Sequence, residues 1–187
     1  MIIKKTSAAE DWNFQTSAIG YGNYLVLNGT GASASAGGGL VSAVSSTTVT
    51  VDSNSYVNSS GATYVMYCFA EKRGYSKFGT YTGNGNADGP FVYTGFKPAW
   101  VMTKRTDSTS AWQMFDNTRS SFNPTDKRLK ANENSAEDTN LAREFLSNGF
   151  KIRNSNGTIN GAGVSMIYMA FAENPIVGSN NIPATAR

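Results

Sequence analysis

The chain writes one segment twice. Residues 64–71, YVMYCFAE, and 166–173, MIYMAFAE, close on the same tripeptide, Phe-Ala-Glu, after the same kind of apolar run. At an offset of 100, Ile3-Lys4-Lys5-Thr6 falls on Thr103-Lys104-Arg105-Thr106 and Trp12 falls on Trp112. At an offset of 102, Asp52, Asn54, Val57, Asn58 and Gly61 fall on Asn154, Asn156, Ile159, Asn160 and Gly163, so a two-residue insertion in the second copy reconciles the ends. Whatever supersecondary unit one half forms, the other half is expected to form as well.

The copies differ at their starts. The second is preceded by YSKFGTYTGNGNADGPFVYTGFKPAW, residues 75–100, whereas the first begins at Met1, opposite Val101. The first unit therefore lacks about two strands that the second has. The expected division is a first β-unit over residues 1–74, truncated at its start, and a complete second unit over 75–187. Either the two pack closely, the first completed by the lead-in strands or by a neighbouring subunit, or they merge into one sandwich.

Each copy reads as β-structure. Charged residues make up only 16% of the chain, and Gly, Ser, Thr and Asn fill the gaps between short runs rich in Val, Ile, Tyr and Phe, the pattern of an all-β chain with many turns. MIIKK, DWNFQ and NYLVLN read as strands of the first copy, and AWVMTKR, AWQMF and KRLKA as their counterparts. Asn148-Gly149 between two alternating runs predicts a hairpin turn, since both residues tolerate positive φ. Ser46-Thr47 takes that place in the first copy. Residues 136–146, AEDTNLAREFL, have Ser135 as a possible cap and good helix formers inside, which allows one helical turn at most. The Phe-Ala-Glu strands are apolar on both faces, which places each at the centre of its sheet.

Several function classes are excluded or disfavoured. There is no histidine, which removes His-based triads, the usual zinc sites and the commonest general base. The single cysteine, Cys68, permits no internal disulfide, and the fold is expected to hold by packing. The net charge of +3 is spread thinly, without the dense basic stripe of a nucleic-acid footprint. No run approaches the ~18 apolar residues of a membrane span, and MIIKKTSAAEDW lacks the apolar stretch of a signal peptide. The expectation is a soluble protein made in a cytoplasm, with no cofactor and no membrane partner. Catalysis would fall to carboxylates, of which Glu71 and Glu173 are the most suggestive. Acid and base need different environments, however, and equivalent glutamates are expected to be structural, each pairing with a neighbour such as Lys72 or Arg105.

The candidate ligand contacts lie in loops and aromatics. GNGNADGP, residues 83–90, alternates Asn84, Asn86 and Asp88 with small residues, much as oxygen ligands alternate in calcium loops. It has only one carboxylate and no closing Glu, so a glycine-rich connection is the favoured reading and no metal is assigned. Exposed aromatics beside Asn and Asp suit sugars, because ring faces pack on the apolar side of a pyranose while amides satisfy its hydroxyls. The expected ligand-binding set is Asn84, Asn86, Asp88, Tyr81, Tyr93, Trp112 and Asp116. For Trp112, as for its equivalent Trp12, core packing is favoured over contact, and the loop tyrosines are the better candidates.

GYSKFGTYTGNGNADGPFVYTGFKPAWVMTKRTDS, then FLSNGFKIR, IYMAFAENP and a terminal PATAR, resembles a repeat module of virion proteins from marine bacteriophages. The resemblance spans residues 74–187, and the first copy is more loosely similar to the module that precedes it in longer chains. It implies tail fibres or other appendages and a fold similar to concanavalin-like or laminin-G-like sandwiches. The expectation is an antiparallel β-sandwich, jelly-roll or concanavalin-like, built from an internally duplicated unit. Its expected role is non-enzymatic attachment to host cell-surface glycan as a homo-oligomer among other virion proteins. The alternatives are a capsid decoration or tail structural protein without ligand and, behind it, a polysaccharide depolymerase.

Overall fold

The computed structural model describes residues 1–37 and 39–173. The terminal PATAR and the end of the Phe-Ala-Glu-Asn-Pro segment lie outside the described residues. The chain divides into two compact units, Met1–Phe69 and Ala70–Arg187. The division falls five residues before the expected 74/75 boundary, because residues 70–74 are tied to the strand that begins at Ser76. Ser76 Oγ donates to the Ala70 carbonyl oxygen at 2.8 Å, and the Phe78 amide to Glu71 Oε1 at 3.1 Å.

In the first unit, strands β1 (Ile2–Lys5), β2 (Trp12–Phe14), β3 (Asn23–Val26), β4 (Ala34–Ser35), β5 (Val41–Val44), β6 (Val49–Val51) and β7 (Tyr64–Tyr67) form two sheets. One is five-stranded in the order β4-β3-β2-β1-β7, and the other is the β5-β6 hairpin. Ile3 from the large sheet and Val41 from the hairpin meet with Leu40 and Val57 in one core, each such side chain worth about 1.5–3 kcal/mol on burial.

The second unit continues as β8 (Ser76–Thr82), β9 (Phe91–Tyr93), β10 (Pro98–Arg105), β11 (Gln113–Asp116), β12 (Thr125–Lys130), β13 (Asp138–Leu146), β14 (Gly149–Ile152), the short helix α1 (Gly157–Asn160) and β15 (Ser165–Ala172). All eight strands join one sheet, β8-β15-β10-β11-β12-β13-β14-β9. The sheet folds over on itself. Phe150 of β14 meets Tyr81 of β8 and Tyr168 of β15 edge-on, with ring centroids 6.1 and 5.5 Å apart. The enclosed core runs through Val101, Phe115, Leu141, Phe145, Phe150, Ile152, Met166 and Ala170. The fold is all-β, an antiparallel sandwich.

The duplication is written into the hydrogen bonds. Ile2 pairs with Tyr67 and Phe14 as Met102 pairs with Met169 and Met114, and Ile3 pairs with Met66 and Asn13 as Thr103 pairs with Tyr168 and Gln113. The Trp12 amide donates to Asn28 Oδ1 and the Trp112 amide to Asn132 Oδ1, both at 2.8 Å. Before each final strand, Asn54 and Asn156 accept equivalent bonds from Tyr56 and Thr158. Gly61 and Gly163 then turn the chain at φ 71° and 73°, a conformation only glycine adopts freely.

Three expectations are corrected. Residues 138–146 form β13 rather than a helical turn, because Leu141, Arg143 and Phe145 all face inward between β12 and β14. The hairpin turn is Ser147-Asn148, one residue earlier than expected, and Gly149 opens β14. Finally, β15 is central, flanked by β8 and β10, but β7 closes its sheet, with β1 on one side and no other strand paired to it among the described residues. Tyr67 is accordingly 49% exposed.

Candidate functional site

Tyr81 and Trp112, expected as sugar contacts, are interior residues. Alternation along β8 turns Tyr81 inward, where its hydroxyl donates to the Ile159 carbonyl oxygen at 2.8 Å and burial pushes its pKa up to about 12. Trp112 is buried at the entry to β11. Asp116 clamps its own turn. One carboxylate oxygen accepts from the Thr118 and Arg119 amides, and the other pairs with Arg119 Nε at 2.6 Å.

The loop over residues 83–90 is a knot of asparagines rather than a ring of free oxygens. Asn84 Oδ1 accepts from the Asn86 amide and from Asn160 Nδ2, and Asn86 Oδ1 accepts from the Asp88 amide. Asn160, fully buried, is the hub. Its Oδ1 accepts from the Asn84 amide, and its Nδ2 lies within hydrogen-bond distance of Asn84 Oδ1 and the Asn86 and Asn154 carbonyl oxygens. Gly83 is obligatory here because a methyl group on it would stand 2.2 Å from the Gly161 carbonyl oxygen. Sequence spacing found the loop. It could not show that the loop's oxygens are taken by its own donors.

Beyond this knot, Asp88 and Tyr93 border a face that the sequence left unassigned. Strand β9 is an edge strand with Val92 in the core, so Phe91 and Tyr93 turn outward, 44% and 61% exposed. Register sets Glu144, Lys151 and Phe91 in one row and Leu146, Gly149 and Tyr93 in the next. The Phe91 ring lies over Gly149, where an added methyl would stand 2.9 Å from its Cζ. Alongside runs an ionic chain in which Asp88 Oδ1 meets Lys151 Nζ at 3.0 Å and Arg153 Nη1 at 2.8 Å, and Arg153 Nη2 meets Glu144 Oε2 at 2.9 Å. The hydrogen bond from Lys151, more than its charge, holds the Asp88 carboxyl below its ordinary pKa. The result is a pair of accessible rings beside fixed donors and acceptors. Phe91 could have been found by counting alternation outward from Val92.

The duplicated glutamates are both engaged, though not with Lys72 or Arg105. Glu173 pairs with Lys97 at 2.8 Å and Glu71 caps the Phe78 amide at 3.1 Å. Arg105 pairs instead with Asp107 at 2.6 Å. In the first unit a concavity of about 320 Å³ is lined by Asp11, Tyr24, Leu25 and Val26 with small residues of the following loop. Asp11, the one carboxylate lining it among the described residues, already accepts from Asn28 at 2.9 Å.

Residues 1–175 match the family described as Domain of unknown function (DUF7483), so one family spans both copies. No curated protein and no solved structure matches the chain.

Proposed function

The chain belongs to the DUF7483 family, and for this member we propose a non-enzymatic attachment module of a bacteriophage virion, a tail-fibre or exterior appendage protein that contacts host-surface glycan. The observation that carries the reading is the Phe91–Tyr93 face, two exposed rings on an edge strand beside the ionic row of Asp88, Lys151, Arg153 and Glu144. Rings of this kind cover the apolar side of a pyranose while charged groups and amides take its hydroxyls. Two rings make a weak site. A homo-oligomer presenting several copies multiplies affinity without better contacts. The virion setting rests on the resemblance of residues 74–187, with synthesis in the host cytoplasm and other virion proteins as partners. The engagement of Glu71 and Glu173 in structural contacts favours binding over hydrolysis.

A structural role in capsid or tail is the second reading. The outer edge of β7, unpaired among the described residues, favours it, because an open edge is a template for another chain. A glycan array probed at high protein density separates the two. Retention of a host glycan supports attachment, and stoichiometric incorporation into purified particles with no glycan retained sinks it. Release of reducing ends from host polysaccharide would instead mark a depolymerase.

A further inference from the structure

The core of the second unit contains a cation with no counter-charge among the described residues. Arg143 is fully buried, and its Nε, Nη1 and Nη2 reach no acceptor among the described residues. The guanidinium carbon stands 3.6 Å from the centroid of the Phe115 ring. The ring therefore covers one face and the N–H donors fan out in the plane. Thr103 Oγ1, on the same inward side of the sheet as Tyr168 and Gln113, is likewise buried and faces the Tyr81 hydroxyl, its neighbour in the core. Tyr81 gives its proton to Ile159, and its oxygen interacts with Thr103 and Arg143. Among the described residues no carboxylate acts on Arg143; its charged neighbours are Tyr81 and Arg128, and Arg128 is itself paired with Asp138 at 2.5 Å. Burial pulls the guanidinium down only to about 10, so it stays protonated at neutral pH.

The first copy shows what the position needs for folding alone. At the offset of the Phe-Ala-Glu strands Arg143 corresponds to Val41; Val41 pairs with Val51, and Arg143 pairs with Ile152, one position short of the residue that corresponds to Val51. Thr103 corresponds to Ile3. Both first-copy residues are core. The second copy thus replaces two interior aliphatics by a cation and a hydroxyl, a costly exchange unless an opposite charge is supplied.

We propose that the second unit holds one small monovalent anion in its core, a halide or a planar oxyanion such as nitrate or formate, in the plane of the Arg143 guanidinium beside Thr103 and Tyr81. Water would satisfy the donors but leave the charge, whereas an anion does both. Monovalence matches the single cation, and small size follows from complete burial. The anion enters when the chain folds and acts as a pin between β13 and β10. This proposal is independent of the glycan reading.

The test uses the full chain refolded from denaturant in sodium bromide and crystallised. An anomalous peak in the plane of the Arg143 guanidinium is expected; water or a protein acceptor there overturns the proposal. Thermal unfolding at constant ionic strength, with gluconate exchanged for chloride, nitrate or formate, identifies the class of anion. The midpoint is expected to rise by about 5–11 °C over a hundredfold increase of the preferred anion above its Kd, and Arg143→Met to abolish the rise. An equal rise in both proteins contradicts the site. If Arg143→Met does not fold, the bromide peak in the native chain decides alone.

Discussion

Lys104 is buried on β10, where its ammonium donates to the Arg105 carbonyl oxygen at 2.7 Å and burial lowers its pKa from 10.5 to about 8. The unfolded chain therefore binds the proton more tightly than the folded one. Below pH 8 the group opposes folding, and that opposition is relieved as the pH climbs from 8 toward 10.5. Tyr81 and Tyr168 act in the other direction. Burial raises both from 10 to about 12, so the stability they contribute is lost between those values. Urea unfolding across pH 7–11 is expected to show stability rising to about pH 10 and then falling, and Lys104→Met is expected to flatten the rising limb. A limb unchanged in the variant would assign it elsewhere. At this scale the sequence was legible for the surface position of Asp88 and Tyr93 and for the core packing of Trp112, and misleading for the buried Tyr81. An aromatic in a Gly-rich stretch looks like a loop residue until the pleat phase of its strand is known, and that phase depends on tertiary partners.

At the scale of elements, the knot around Asn160 separates two residues that the repeat makes equivalent. Asn160 is buried with its amide shared among three acceptors, whereas Asn58 is exposed. Asn160→Ala should therefore cost about 2–4 kcal/mol, since buried groups lose their partners, and Asn58→Ala less than about 1 kcal/mol. Chemical denaturation of both variants measures the difference; equal losses would contradict the assignment. Gly149 is a second such position. A methyl group there would stand 2.1 Å from the Val92 carbonyl oxygen, so Gly149→Ala is expected to loosen β9 from β14 at a cost of about 1–3 kcal/mol. Hydrogen exchange at Val92 and Phe150 reads that loosening, and unchanged protection would refute it. Asn-Gly signalled the hairpin but for the wrong reason: its glycine makes room for an edge strand that only the fold brings alongside. Helix formers over 136–146 misled in the same way, because inward-facing Leu141 and Phe145 outweigh propensity.

On the scale of the whole chain, the repeat carries through to the register of β1, β2 and β7 against β10, β11 and β15, down to the pairing of Ile2 and Met102 with equivalent partners, but not to the hairpins, where Val44 pairs with Val49 and Leu146 with Gly149. What the repeat could not carry was the difference between them. The lead-in supplies β8 to flank β15 and β9 to extend the sheet, leaving β7 at an edge although its sequence reads as central. Function is expected to follow the difference. Residues 70–187 expressed alone should fold cooperatively and keep any glycan affinity, and loss of binding in a folded fragment would move the site to the first unit. The most direct test is binding of host-surface polysaccharide, presented at high density, to the native chain and to Phe91→Ala/Tyr93→Ala. Binding by the native chain is expected, with a loss of about tenfold or more in the variant and an unchanged unfolding midpoint. Equal binding by both proteins would contradict the proposed site.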